Sequence, residues 1–366
     1  MQRINFLDLK EQYLQIKEEA WQAMEKVMDL TAFSGGPFVA SFEDKFAAWT
    51  GARYAVGVTN GTIALQLAFQ TLNIGAGDEV IVPANTFIAT AWGVSHAGAT
   101  PVFVDCTSDT WEIDPALIEA KITPKTKAIA GVHLYGQTFD IDAVKTICDK
   151  HNLFLIEDCA QAHGAHYKGK HVGTIGAMGC FSFYPGKNLG TFGEGGGVIT
   201  NDENYYTRMC SLRNHGSTVR YYHDEIGYNW RMGGIEGAVL EVKLKYIEDW
   251  NAKRKVIAAR YKNEINNKAI TFQAMPDWAD SAYHLFVVTV ADREHFMKYM
   301  NDHEIFPGLH YPVPCHLQKA YAHLGYQKGD FPNSEYLAEH CVSLPIYAEL
   351  KDDAVQYVID TINAYR

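Results

Sequence analysis

Several absences bound this chain before any motif is read. No apolar run approaches the roughly 20 residues that span a bilayer, so no membrane helix is expected. The opening stretch MQRINFLDLKEQ lacks the apolar region of a signal peptide. Cysteine is sparse and unpaired. The seven residues, at 106, 148, 159, 180, 210, 315 and 341, are odd in number and form no CxxC, which excludes a disulfide framework and points to reduced thiols. Positive charge is also in short supply. With 32 Lys and Arg against 43 Asp and Glu, the net charge of −11 argues against a general nucleic-acid binder. These absences lead to the expectation of a soluble cytoplasmic protein.

Two phosphate motifs are missing as well. Gly186-Lys187 is followed by Asn188 rather than Ser or Thr, and Gly179 lies too far back for a Walker A loop. Gly193, Gly195, Gly196 and Gly197 do not fit G-x-G-x-x-G, and a strand pattern comes after them instead of a helix. A nicotinamide-type oxidoreductase is thereby disfavoured. His163 and His166 form an HxxH, but no third ligand lies nearby and no HExxH accompanies it, so no metal is expected.

What is present is a long chain of 366 residues, 47% of them hydrophobic, enough for a large domain and a smaller one. Residues 8–30 predict a helix, with Asp8 as cap, Glu11 completing a capping box, and Tyr13, Ile16, Ala20, Met24 and Val27 at helical spacing. A second helix carries Val39, Phe42, Phe46 and Trp49 on one face and ends at Gly51. Short apolar runs then alternate with helical patterns. Strands are predicted at 54–59, 79–83, 101–105, 127–134 and 153–157, with helices at 62–72, 85–96, 115–122 and 141–151 between them. That alternation implies a mostly parallel sheet sandwiched by helices. In such sheets ligands bind beyond the carboxyl ends of the strands. Those ends carry Asn60-Gly61-Thr62, Asn85-Thr86-Phe87, Tyr135-Gly136-Gln137 and Asp158-Cys159-Ala160-Gln161. A glycine turn opening a helix, as at Gly61-Thr62, suits either a phosphate or an ordinary helix cap.

Past residue 204 a helix leads into a polar, Tyr-rich loop ending Tyr228-Asn229-Trp230-Arg231. One long helical stretch, 234–267, is expected to link the large domain, 1–250, to a smaller C-terminal α/β domain, 251–366. In the latter, strands are predicted at 284–290 and 309–311 and helices at 293–302, 334–340 and 352–364.

The chain is organised around CFSFYPGKNLGTFGEGGGVITN, residues 180–201. Lys187 is the only charged side chain between His171 and Glu194, and it sits just past an apolar strand and a Pro-Gly turn. It is either a solvated loop lysine or a desolvated amine able to form a Schiff base. Asp158 ends an apolar strand, where a carboxylate is costly unless paired. It is either a helix cap for the residues after it or the partner of a buried cation.

A lysine after a strand, an aspartate ending an earlier strand, and a Gly-Thr turn before both are what a pyridoxal-phosphate site needs. The segments NGTIALQLAF, EDCAQAHGA, FSFYPGKNLGTFGEGGGVITND and GYNWRMG resemble the DegT/StrS-like family of nucleotide-sugar aminotransferases, of fold type I. The resemblance runs from about Phe6 to the end of the chain. It implies pyridoxal 5′-phosphate as cofactor, passing through its pyridoxamine form. Lys187 would hold the aldehyde as a Schiff base and later move a proton. Asp158 would pair with the ring nitrogen and Gln161 with the ring oxygen. Gly61, Thr62 and Ser182 would hold the phosphate, and Phe87 would stack on the ring. Asn229 matches an asparagine that reaches the neighbouring subunit's phosphate, which implies a homodimer. A relative with histidine at the lysine position acts as a dehydratase, so Lys187 favours transamination.

The resemblance further implies glutamate as amine donor and a nucleotide-linked keto sugar as acceptor. Arg213, Arg220 and Arg231 are candidates for the donor carboxylate or the diphosphate. GLHYPVPCHLQKAY resembles the subset that aminates C3 of dTDP-linked 3-keto-6-deoxyhexoses and places Tyr184, His310 and Tyr311 around the hexose. The alternatives are a 4-keto-6-deoxy sugar, a UDP-linked 3-keto-2-acetamido sugar acid, and, in another class, a ligand-sensing regulatory protein on the same fold. Such a regulator usually adds a DNA-binding segment, whereas the first 30 residues read as a single amphipathic helix of mixed charge.

Overall fold

The computed structural model describes residues 3–366. Helix α1 (Leu9–Asp29) starts where Asp8 accepts the N–H groups of Lys10 and Glu11, and it buries Ile16, Ala20 and Val27. Helix α2 (Pro37–Thr50) buries Val39, Phe42 and Phe46 and stops at Gly51, whose φ of 77° is the left-handed turn that glycine makes without strain. Next come β1 (Tyr54–Val58), α3 (Gly61–Thr71), β2 (Glu79–Pro83), α4 (Ile88–His96), β3 (Thr100–Val104), α5 (Pro115–Ile118), β4 (Thr126–Val132), α6 (Ile141–His151) and β5 (Phe154–Asp158). A short hairpin, β6 (His166–Tyr167) and β7 (Lys170–His171), precedes β8 (Met178–Ser182), β9 (Gly196–Thr200) and α7 (Glu203–Leu212).

Seven of these strands form one sheet in the order β1-β9-β8-β5-β4-β2-β3. Only β9 runs against the rest, pairing antiparallel with both β1 and β8. Alternate residues enter opposite cores. Val80, Val82, Ala128, Ala130 and Ile156 pack under α3, α4 and α7. Ile81, Ile129 and Leu155 face α6, and Phe181 and Ile199 face α2. Burial on both faces explains why these strands read as continuous apolar runs rather than as polar–apolar alternation.

The chain continues through α8 (Gly234–Leu244), α9 (Ile247–Glu264), β10 (Ile270–Phe272), β11 (Ala279–Asp280), β12 (Phe286–Val290), α10 (Arg293–Asp302), α11 (Pro332–His340), β13 (Cys341–Leu344) and α12 (Asp352–Ala364). A second sheet, β10-β12-β13, is wholly antiparallel and shares a core with α10 and α12. Two expectations are corrected here. The stretch 234–267 is two helices, interrupted at Lys245-Tyr246, where neither proline nor glycine marks the break. Residues 309–311 are not a strand. Pro312 and Pro314 offer no N–H to a ladder, and CVSL of β13 pairs with β12 instead.

Candidate active site

The carboxyl ends of β1, β2, β4, β5 and β8 open onto one cavity of about 720 Å³. Asp158, the last residue of β5, is fixed by main-chain bonds on both sides. The His133 N–H donates to its carbonyl at 3.0 Å, and the Cys159 N–H donates to the Cys180 carbonyl at 2.7 Å. Its carboxylate is buried. Oδ2 accepts from the Thr90 hydroxyl at 2.7 Å and Oδ1 from the Ala160 N–H at 3.1 Å. Burial pushes the carboxyl above its usual range, while these two bonds and the nearby Lys187 oppose the shift.

Lys187 reaches the cavity from the loop after β8. That loop is pinned by the Lys187 N–H on the Tyr184 carbonyl, 2.9 Å, and by the next side chain. Asn188 donates to Asn251 and to the Ala282 carbonyl, both at 2.9 Å, and bonds His284 at 3.1 Å. Desolvation lowers the lysine to about 8, with Asp158 pulling the other way. A usable fraction of this amine is therefore free base near neutral pH, as nucleophilic amine chemistry requires. Burial, with the Lys187 charge second, drops His310 to about 4 and holds His284 well below the ordinary imidazole range.

At the first turn of α3, Asn60 caps the helix by accepting the Ile63 N–H at 2.9 Å. Gly61 and Thr62 line the cavity there, where backbone N–H groups have no intrahelical partner. A Cβ on Gly61 would lie 2.6 Å from that of Ser182, and one on Gly196 would collide with the Asn60 carbonyl. The start of β9 sits between the ends of β1 and β8, and glycine there lets three backbones converge on one anion-sized cradle. An aldehyde-reactive amine, a buried carboxylate and this cradle on one cavity fit pyridoxal phosphate. The group supplies an electron sink when bound.

Gln161 also lines the cavity. Its Oε1 accepts the Tyr135 N–H at 2.7 Å and its Nε2 donates to the Tyr311 hydroxyl at 2.9 Å. The Tyr135 hydroxyl in turn holds the His310 carbonyl at 2.6 Å. Phe87 and Tyr311 rings lie 5.3 Å apart, and Tyr184 is exposed at the mouth. The cavity thus gathers Gly61, Thr62, Phe87, Asp158, Gln161, Ser182, Tyr184, Lys187, His310 and Tyr311.

Four predicted residues stand elsewhere. Arg213 is paired with Glu43 and donates to the Gly57 carbonyl at 2.7 Å, which engages its guanidinium in the fold. Arg231 bonds the Asn214 side chain at 2.8 Å. Arg220 and Asn229 are exposed on the segment between α7 and α8. His163 is buried against Phe181 and Phe183, with burial dropping it to about 3. The group of metal-ligating type among the described residues is His133, Glu157 and Cys159. Glu157 there is saturated by His133 and the N–H groups of Gly173, Ile175 and Gly176.

Sequence reasoning placed Thr86 at a strand end without giving it a role, and passed over Thr90. Their signal was a pair of hydroxyls four residues apart in an otherwise apolar segment, TFIATA.

Fold and site together define a pyridoxal-phosphate-dependent transaminase of fold type I. The sequence profile of the DegT/DnrJ/EryC1/StrS aminotransferase family matches residues 14–363, and the chain belongs to that family. It is 45% identical, over 99% of both chains, to the dTDP-3-amino-3,6-dideoxy-alpha-D-galactopyranose transaminase of Aneurinibacillus thermoaerophilus. It is 44% identical, again over 99% of both, to the erythromycin biosynthesis sensory transduction protein EryC1 of Saccharopolyspora erythraea. A solved structure of S. venezuelae DesV in complex with ketimine intermediate superposes with a TM-score of 0.97 at 41% identity, covering 99% of this chain and 98% of that one.

Proposed function

We propose that the protein transfers the amino group of glutamate to C3 of a dTDP-linked 3-keto-6-deoxyhexose, giving the dTDP-3-amino-3,6-dideoxyhexose. The observation that carries the reading is Lys187, lowered to about 8, beside a buried Asp158 in one cavity. Glutamate leaves as 2-oxoglutarate in the first half-reaction, and the keto sugar takes up the amine in the second. Lys187 binds the cofactor and moves the proton at the substrate carbon. Asp158 holds the proton on the ring nitrogen. Gln161 faces the ring oxygen, Gly61, Thr62 and Ser182 hold the phosphate, and Phe87 covers the ring. Tyr184, His310 and Tyr311 surround the hexose. The choice of C3 and of dTDP is supported by the 45% relative named for a dTDP-3-amino sugar.

Among the described residues no arginine lines the cavity, yet the proposed substrates carry a diphosphate or two carboxylates. The reading therefore includes a homodimer. The exposed segment that carries Arg220 and Asn229 also exposes Val219, Tyr221, Tyr222 and Ile226, an apolar surface suited to a second copy. It brings Arg220 and Asn229 to the partner's site. The seven free cysteines favour a reducing, cytoplasmic location. Among the described residues no helix is long and apolar enough to cross a membrane. The cavity takes its walls from both sides of residue 250, in line with the two-domain division, 1–250 and 251–366.

The relative named as a sensory transduction protein favours a second reading, a ligand sensor on this fold. Incubation of the holoenzyme with glutamate separates the two. Stoichiometric release of 2-oxoglutarate with loss of the pyridoxal absorbance band is expected of the transaminase; an unchanged spectrum would support the sensor.

A further inference from the structure

The buried hydroxyls of Thr86 and Thr90 take part in none of the steps above. Their exposures are 3% and 0%. Thr86 lies just past the end of β2, and Thr90 lies in the first turn of α4, so the two meet at i and i+4 spacing. Their oxygens are 2.9 Å apart, and Thr90 Oγ1 is 2.7 Å from Asp158 Oδ2. A hydroxyl has one proton to give, and an ionised carboxylate only accepts. The Thr90 proton is therefore directed to Asp158, and the Thr86 proton to Thr90. With Oδ1 held by the Ala160 N–H, both carboxylate oxygens are oriented by the protein. Thr90 itself does not line the cavity.

We propose that Thr90, oriented by Thr86, is a positioning residue that keeps Asp158 ionised and aimed at the ring nitrogen of bound pyridoxal phosphate. The proposal rests on the pairing of Asp158 with that nitrogen. Burial alone favours a neutral aspartic acid, which could not hold a proton on the ring. The hydroxyl pair supplies charge-assisted stabilisation at the oxygen farthest from the backbone cap. The electron-sink state of the cofactor thus depends on a side chain that does not line the site.

The test uses holoenzyme reconstituted with pyridoxal phosphate carrying ¹⁵N in the ring, whose NMR shift reports nitrogen protonation. Thr90→Val keeps the shape and removes the donor. Its signal is expected to move toward the unprotonated value, and Thr90→Ser is expected to restore it. In the glutamate half-reaction, Thr90→Val should lower kcat roughly ten- to a hundredfold, as loss of a hydrogen bond to a charge does, with KM changed less than about twofold. Thr86→Val, which frees the direction of the Thr90 hydroxyl, should move the signal the same way by less, and it carries the test if Thr90→Val does not fold. An unmoved signal in the folded variant overturns the proposal. Asp158→Asn run alongside separates two failures: if it moves the signal and Thr90→Val does not, the relay alone falls; if neither moves it, the Asp158 pairing falls as well.

Discussion

In the proposed reaction Lys187 is the residue on which the chemistry turns, and its behaviour with pH is set by its surroundings. Burial disfavours the ammonium, so the amine titrates near 8 rather than in the ordinary lysine range. Only the free amine attacks an aldehyde. The rate at which apoenzyme takes up pyridoxal phosphate should therefore rise with pH by about tenfold per unit below 8 and level off above it. A rate still climbing past a pH of about 9.5 would mean the lysine is solvated. Sequence showed Lys187 because it is a lone charge in an apolar stretch, and Asp158 because it closes an apolar strand, positions that physical cost makes visible. It did not show Thr90, because threonine is at home inside helices and loops alike. Nor did it show that Gln161 spends its amide on Tyr135 and Tyr311. Such partners come from segments 26 and 150 positions away, and no local pattern encodes them.

At the scale of elements, the parallel strands and their helices were legible because burial on both faces leaves unbroken apolar runs. Of the small antiparallel sheet only β12 was legible, inside the strand predicted at 284–290. CVSL of β13 is four residues long, and its pairing with β12 is a tertiary choice. The Glu43–Arg213 pair was equally hidden, since α2 and the end of α7 meet only in the fold. Glu43 also accepts the Gly57 N–H of β1 at 2.6 Å, so it ties three elements together. Both side chains are largely buried, at 10% and 18% exposure. Glu43→Ala would strand the guanidinium and a backbone donor, costing about 3–5 kcal/mol. Urea unfolding measures this, and a loss under about 1 kcal/mol would show the pair to be solvated.

At the scale of the whole molecule, the proposed reading draws each site from two copies. If Asn229 and Arg220 act across an interface, then Lys187→Ala and Asn229→Ala proteins, each inactive alone, should regain up to about a quarter of wild-type activity when mixed and allowed to exchange, because hybrid dimers contain one intact site. No recovery after demonstrated exchange would count against a shared site. The proposed function stands or falls, however, on the carbon that receives the amine. ¹⁵N-glutamate and the dTDP-linked 3-keto-6-deoxyhexose would be turned over together and the product read by ¹H–¹⁵N correlation. Nitrogen on C3 of a dTDP-linked sugar is expected, with no product from the 4-keto isomer; nitrogen on C4, or none on either sugar, would contradict it.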